Sequence, residues 1–260
     1  MPVAFSTRTL RAGADRLAPG AEHARALGFG AIHAALPPID VAAARIALAT
    51  HRVTLTGVST VALDDLSIVG VAIDRAAGAA AALKHRLVVV EAGPLRVPRR
   101  ATVETAVGTL VRVLHAALRR HAGLSLALAT ADGPGGLVGA RETEWIVSEL
   151  RDEPLGFWFD TAGALRIERG PGGGEGGVRP QALAWADRFG ARVTGLAVHG
   201  LGGQEGHGRP EDDGLDWGTL SGLVPASAPW VLELAPSIAT DAIEESRRFL
   251  EHVLGEGAKS

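Results

Sequence analysis

The sequence contains no cysteine and no tyrosine, and it holds only two lysines among its 260 residues. Without cysteine there are no disulfides, thiolate metal ligands or cysteine nucleophiles, and without tyrosine there is no phenolic acid or base. Lys84 lies at the end of a predicted helix and Lys259 lies in the C-terminal tail. We therefore expect no lysine Schiff base in a central pocket, and several enzyme classes are excluded.

Strong charge asymmetry and long apolar segments are also absent. The 26 basic and 29 acidic residues are dispersed and give a formal net charge of −3, which argues against nucleic acid or an anionic membrane as a partner. No apolar run is long enough to span a bilayer, and the N-terminus lacks the pattern of a signal peptide. We expect a cytoplasmic protein, and its oligomeric state is not indicated by the sequence.

Eight short apolar runs recur along the chain, separated by segments of helical composition. This alternation predicts a parallel sheet covered by helices. Eight such units in 260 residues predict the α/β class and a single (β/α)₈ TIM barrel over residues 1–255, followed by a disordered tail over 256–260. The runs are followed by a ring of polar residues, which we expect around one pocket at the C-terminal strand ends: Ser6, His33, Ser59, Glu91, Thr130, Asp160, His199 and Glu233.

Three of these strand ends, Asp160, His199 and Glu233, carry side chains that can bind a metal. Two carboxylates and one imidazole suit a divalent Mn, Mg, Co or Zn ion with open positions for water or substrate. Because they end consecutive predicted strands of a barrel, we expect them to converge at its mouth. The alternative is that each charge caps its strand in solvent or joins an ion pair, and the residues alone leave both open.

Five segments carry a resemblance to a known family by their order and spacing. They are Leu-Gly-Phe-Gly-Ala-Ile-His at 27–33, Phe-Asp-Thr-Ala-Gly at 159–163, Ala-Val-His at 197–199, Gly-Leu-Asp-Trp at 214–217 and Val-Leu-Glu at 231–233. In these the chain resembles the xylose-isomerase-like TIM barrel superfamily, with its sugar phosphate isomerases/epimerases and relatives of endonuclease IV. The resemblance covers nearly the whole chain. It implies a divalent metal held by a Glu on strand five and by Asp160, His199 and Glu233 on strands six to eight.

The chain also departs from the family pattern. Ala129 stands where the strand-five Glu is expected, and Gly163 replaces the His of the strand-six motif. The second-strand Glu has become His33, and the fourth strand ends in Glu91 where a His is common. We expect Glu91 to supply the missing carboxylate and His33 to bind substrate. Each has an alternative, since Glu91 precedes a turn whose amides it could accept from, and His33 could be a neutral residue at the pocket rim.

Two further residues are candidates for substrate binding. His207 lies in a Gly-His-Gly-Arg segment that is similar to the family's loop histidine or arginine, although a histidine between glycines is often simply solvated. Trp217 lies beside the loop that follows the seventh strand, where it could form a wall for a sugar ring. The alternative for this tryptophan is a place in the packing between helices and barrel.

The resemblance implies a metal-dependent isomerase or epimerase acting on a sugar, sugar phosphate or polyol-type substrate. In that mechanism Glu233 takes a proton from carbon, and Glu91 or water returns it. One alternative is a catalytically inactive barrel that has lost the metal and serves as a ligand-binding or scaffold protein. Another is a metal-assisted hydrolase or lyase, which needs only one base. A role like that of endonuclease IV is disfavoured, because its metal site uses more histidines.

Overall fold

A computed structural model describes residues 3–10, 16–92, 95–129, 137, 139–161, 178–200, 207–212 and 215–257. Eight parallel strands pair in chain order, and β8 closes on β1, which confirms the predicted (β/α)₈ barrel. The strands are β1 (Val3–Ser6), β2 (Ala31–Ala34), β3 (Thr54–Ser59), β4 (Leu87–Val90), β5 (Ser125–Ala129), β6 (Leu155–Asp160), β7 (Val193–Val198) and β8 (Trp230–Leu232).

Helices cover the outside of the barrel between the strands. Those of the described residues are α1 (Leu17–Ala26), α2 (Val41–His51), α3 (Val69–Ala82), α4 (Val103–Arg120), α5 (Ala140–Glu149), α6 (Val178–Phe189), α7 (Trp217–Leu223) and α8 (Thr240–Gly257). The last helix extends past residue 255, where the predicted barrel ends, and includes two of the residues assigned to the tail. None of the described helices has the length and apolar character of a membrane span.

Alternation along the strands divides the barrel into an outer and an inner core. Outward side chains pack against the helices in the larger cluster, which includes Phe5, Ile32 and Phe157. Inward side chains form a second cluster made mostly of small residues: Ala4, Ala31, Val89, Ala127, Ala129, Trp158, Ala197 and Val231. Small neighbours leave room for one large ring, so the indole of Trp158 fills the middle of the barrel.

The space beside Trp158 depends on Gly195. The two residues are paired in the register of β6 and β7, and a Cβ atom at position 195 would lie 2.2 Å from Cζ3 of the indole. We expect Gly195→Ala to destabilise the fold by about 1–3 kcal/mol, because the ring is enclosed and cannot move aside without disturbing its neighbours. Urea denaturation measures the loss.

Gly78→Ala is the matched control, since nothing lies within 4 Å of the added carbon in α3 and alanine favours a helix. A Gly195→Ala protein as stable as wild type would show that the indole does not occupy the described position.

Candidate functional site at the C-terminal mouth of the barrel

The polar strand ends lie one layer above the inner apolar cluster. Side chains alternate along a strand, so a residue two positions beyond an inward-facing one is directed to the same side. In this way the inner cluster is followed by a polar layer made of His33, Glu91, Asp160, His199 and Glu233. Thr130 and Gly163 lie outside the described residues.

Arg8 is a mouth residue that the sequence analysis missed. Ser6 ends β1, and its hydroxyl accepts a hydrogen bond from the backbone amide of Arg8 at 3.2 Å, starting a single turn of 3-10 helix. The same hydroxyl donates to Oε2 of Glu233 at 2.9 Å. Oγ1 of Thr7 and Oγ1 of Thr9 accept from backbone amides that follow β2 and β8, at 3.0 and 3.1 Å. These contacts fix the position of the Arg8 backbone at the mouth.

The guanidinium of Arg8 joins two carboxylates from opposite sides of the barrel. Its Nη1 lies 2.9 Å from Oε1 of Glu233, and its Nη2 lies 3.3 Å from Oε1 of Glu91. These glutamates follow β8 and β4, which are four strands apart in either direction around the ring. The Arg8 side chain is 37% exposed and that of Glu233 only 6%, so the pair forms the floor of the mouth, with Glu233 beneath the partly exposed cation.

Glu233 is a buried but ionised carboxylate. Burial is the largest single influence and would raise its pKa, but the positive charge of Arg8 and the charges that His207 and His199 carry when protonated together hold the pKa of Glu233 below its ordinary value. Its Oε1 accepts no well-directed hydrogen bond from the described residues. Glu233 is therefore charged at neutral pH, with an oxygen able to accept a proton or a hydroxyl donor.

Glu91 is held by a hydrogen-bonded chain that reaches back to His33. The hydroxyl of Ser59 donates to Oε1 of Glu91 at 2.7 Å, because a carboxylate can only accept. The single hydroxyl proton of Ser59 is thereby used, so Nε2 of His33, 2.9 Å from Oγ of Ser59, must carry a proton and donate it to that hydroxyl oxygen. This assigns the histidine tautomer and leaves its Nδ1 unprotonated.

His33 lies beneath the mouth and is 2% exposed. Its ring stacks on Trp158, with centroids 4.8 Å apart, and a Cβ at Gly57 would lie only 3.1 Å from its Cε1. Burial is the main cause that lowers the pKa of His33 to about 3. The imidazole is therefore neutral, and its hydrogen bond is to the hydroxyl of Ser59. Whether it also binds substrate stays a prediction.

Asp160, His199 and His207 form the other side of the mouth. Nε2 of His199 lies 2.9 Å from Oδ1 of Asp160, and the ring of His199 stacks on His207 with centroids 4.3 Å apart. Nδ1 of His207 is 3.7 Å from Oε1 of Glu233 and, among the described residues, has no hydrogen-bond partner. Burial and then the positive charge of His199 lower the pKa of His207. A neutral His207 can bind a ligand hydroxyl group.

The expectation that Trp217 forms a wall of the pocket is wrong. The residue is 3% exposed and belongs to the outer core, and its ring centroid is 6.1 Å from that of Trp230. Its indole nitrogen donates to the carbonyl of Pro210 at 3.0 Å. The alternative of a packing role matches this position.

The expected metal site is not assembled either. In the part of the chain that the structure describes, no group of three or more His, Asp or Glu side chains has the arrangement of a metal site. Asp160 and His199 pair with each other and Glu233 pairs with Arg8, so all three expected ligands have partners within the chain. Ala129 is enclosed in the apolar cluster of Trp158. These residues do not fit a divalent cation.

The fold is shared with solved structures, although no family model and no curated protein matches the sequence. D-allulose 3-epimerase from Methylomonas sp., solved with D-allulose, matches with a TM-score of 0.67 and 15% identity over 97% of this chain and 96% of that chain. The IOLI protein with a bound zinc atom matches with a TM-score of 0.68 and 15% identity over 99% and 98%.

An AP endonuclease of family 2 from Brucella melitensis matches with a TM-score of 0.73 and 14% identity over 97% of this chain and 99% of that chain. The chain thus has the fold of the xylose-isomerase-like TIM barrels, as the sequence resemblance predicted. At such low identity the likeness shows the fold, and the activity has to be argued from the mouth itself.

Proposed function

We propose that the protein is an isomerase or epimerase of a small sugar, sugar phosphate or polyol-type carbonyl compound, bound at the C-terminal mouth. The observation that carries the proposal is the pair of carboxylates, Glu91 and Glu233, joined from opposite sides of the barrel by Arg8. Inverting one carbon by proton transfer requires a base on one face of the substrate and an acid on the other, whereas moving a proton between neighbouring carbons can be done by one base on one face. Solved sugar epimerases share the fold.

Glu233 is the base in this mechanism. It is ionised and largely shielded from water, and its Oε1, 2.9 Å from Nη1 of Arg8, accepts no well-directed hydrogen bond from the described residues. A proton on the carbon next to a carbonyl becomes acidic when the charge that develops on the carbonyl oxygen is stabilised. The partly exposed guanidinium of Arg8 lies beside Oε1 of Glu233. It supplies N–H donors for the carbonyl oxygen of the substrate.

Glu91, or a water molecule beside it, returns a proton on the other side of the substrate; Glu91 does so from its protonated form, and exchange with solvent then removes the proton taken up by Glu233 and restores the one lost by Glu91. Glu91 follows β4, opposite Glu233, and Ser59 fixes the orientation of its carboxylate. His33 positions Ser59 in turn and remains neutral throughout, because its pKa of about 3 lies far below physiological pH. His33 is thus a positioning residue, and the neutral His207 and the Asp160–His199 pair bind hydroxyl groups of the substrate.

A ligand-binding protein without catalysis is the second candidate. It is favoured by Ala129, which is 4% exposed among apolar neighbours, so that strand five brings no acid or base to the mouth. Binding of a sugar without turnover would support this candidate.

Incubation of the protein with a panel of aldoses, ketoses, their phosphates and polyols in D₂O tests the proposal. We expect at least one ketose or aldose to lose the NMR signal of a carbon-bound proton next to its carbonyl and to yield an isomer or epimer. Binding of a panel member, seen as a thermal shift, with no exchange in any of them would contradict the isomerase and favour the binding protein.

A further inference from the structure

We infer that Arg8 is the resident cation of this mouth, taking the place of a divalent metal and making the site independent of one. The inference rests on the geometry of the described residues and stands apart from the proposed isomerase activity.

The charges at the floor of the mouth are arranged around the guanidinium. Its two terminal nitrogens contact different carboxylates, Nη1 with Glu233 at 2.9 Å and Nη2 with Glu91 at 3.3 Å. The planar fork of arginine allows one side chain to bridge two acids, which the point charge of lysine does less well. A divalent ion binding these same oxygens would lie a few ångströms from a fixed positive charge and would be repelled.

The position of Arg8 is built into the fold. Ser6 binds both the Arg8 amide and Glu233, so the residue that starts the turn also orients the acid to which the guanidinium is paired. Thr7 and Thr9 secure the turn to the neighbouring strands. A solvated surface arginine would have no such support, since exposed ion pairs hold their side chains only weakly.

The remaining acid of the mouth has its own partner. Asp160 is paired with His199, and strand five contributes Ala129 within the apolar cluster around Trp158. The carboxylates that a metal would need are therefore either engaged or missing. Removing Arg8 should allow a divalent cation to bind, because it leaves Glu91 and the buried Glu233 without their shared cation.

The test is a titration of Mn²⁺, Co²⁺ and Zn²⁺ into wild type, Arg8→Met and Arg120→Met, each purified without chelator. Arg120→Met is the matched control, because it removes an arginine from an ion pair with Asp74 outside the mouth. We expect wild type and the control to carry no stoichiometric metal and to show no saturable shift of Tm. Arg8→Met should melt at a lower temperature and regain roughly 5 °C or more at a metal concentration about 100-fold above its Kd.

Stoichiometric metal in wild type, or a metal-induced shift equal in wild type and Arg8→Met, would overturn the inference. So would an Arg8→Met protein that binds no metal, because Arg8 would then replace nothing. If Arg8→Met does not fold while the charge-balanced Arg8→Met/Glu233→Gln variant does, the unpaired charge is the cause, as the inference expects, and stoichiometric metal in wild type would still overturn it. None of these readouts depends on catalysis, so they separate this inference from the proposed function.

Discussion

Glu233→Gln is expected to lower the rate of proton transfer by about 10²- to 10⁴-fold, the usual contribution of a positioned acid or base. The amide has the shape of the carboxylate and can keep the contact with Ser6, but it cannot accept a proton at neutral pH. The loss should fall on kcat more than on KM, since substrate hydroxyl groups can still bind the amide. Steady-state kinetics with the substrate found in the panel measure both.

Glu245→Gln is the control for this variant, because Glu245 pairs with Arg209 on the exposed side of α8. It should leave kcat and KM unchanged. If Glu233→Gln retained activity within a few-fold of wild type while remaining folded, Glu233 would be a structural partner of Arg8 and another group would be the base.

Wild type is expected to lose about 2 kcal/mol of stability through His33 when the pH falls from 7.5 to 5. The imidazole has a pKa of about 3 in the folded protein and of 6.5 as its ordinary value. Between these two pKa values the imidazole binds a proton in the unfolded chain but not in the folded chain, so the free energy of unfolding declines as the pH drops below 6.5. Each pH unit inside this window corresponds to about 1.4 kcal/mol for one proton.

Urea denaturation of wild type and His33→Gln at both pH values measures this effect. The glutamine should remove the His33 contribution, so its stability should fall by about 2 kcal/mol less than that of wild type. His252→Gln is the control substitution, because His252 is exposed. The titrating groups that all three proteins share contribute equally to the change in stability with pH. Parallel pH profiles for wild type and His33→Gln would show that His33 is not held neutral in the folded state.

The fold could be predicted from the sequence because the units of the barrel share a repeated local pattern. Short apolar strands alternate with helices, and the order of strands in such a barrel follows the order of the chain. Asp40 is an example of such a local signal: it directly precedes the helical segment of α2, and its carboxylate caps that helix by accepting a hydrogen bond from the amide of Ala43 at 2.9 Å. The end of α8 was less predictable, because Gly255 has nothing within 4 Å and is tolerated inside the helix.

The acids of the mouth were predictable, but their partners were not. Glu91 and Glu233 follow strands, and the geometry of a barrel directs them to one mouth. Their cationic partner is set by a single turn after β1, where Arg8 lies two residues beyond the serine that ends the strand. A serine at a strand end that can cap a turn, followed two residues later by an arginine, is the signal that was available.

The metal prediction assigned ligands by the order of the strands, and among the described residues no three of these side chains form a metal-binding group. Asp160 and His199 end neighbouring strands and bind each other, an outcome that the same spacing allows. Trp217 was misplaced for a similar reason, since the sequence shows its nearness to the loop but not the carbonyl of Pro210 that accepts its indole proton. Contacts between distant segments decide such cases.

The most direct test of the account is solvent deuterium exchange into the panel sugars by wild-type protein that has been treated with chelator and shown to be free of metal. The account predicts that exchange at the carbon next to the carbonyl persists without metal in wild type and is lost in Glu233→Gln. Exchange that is absent from metal-free wild type and returns only when Mn²⁺, Co²⁺ or Zn²⁺ is added would contradict it.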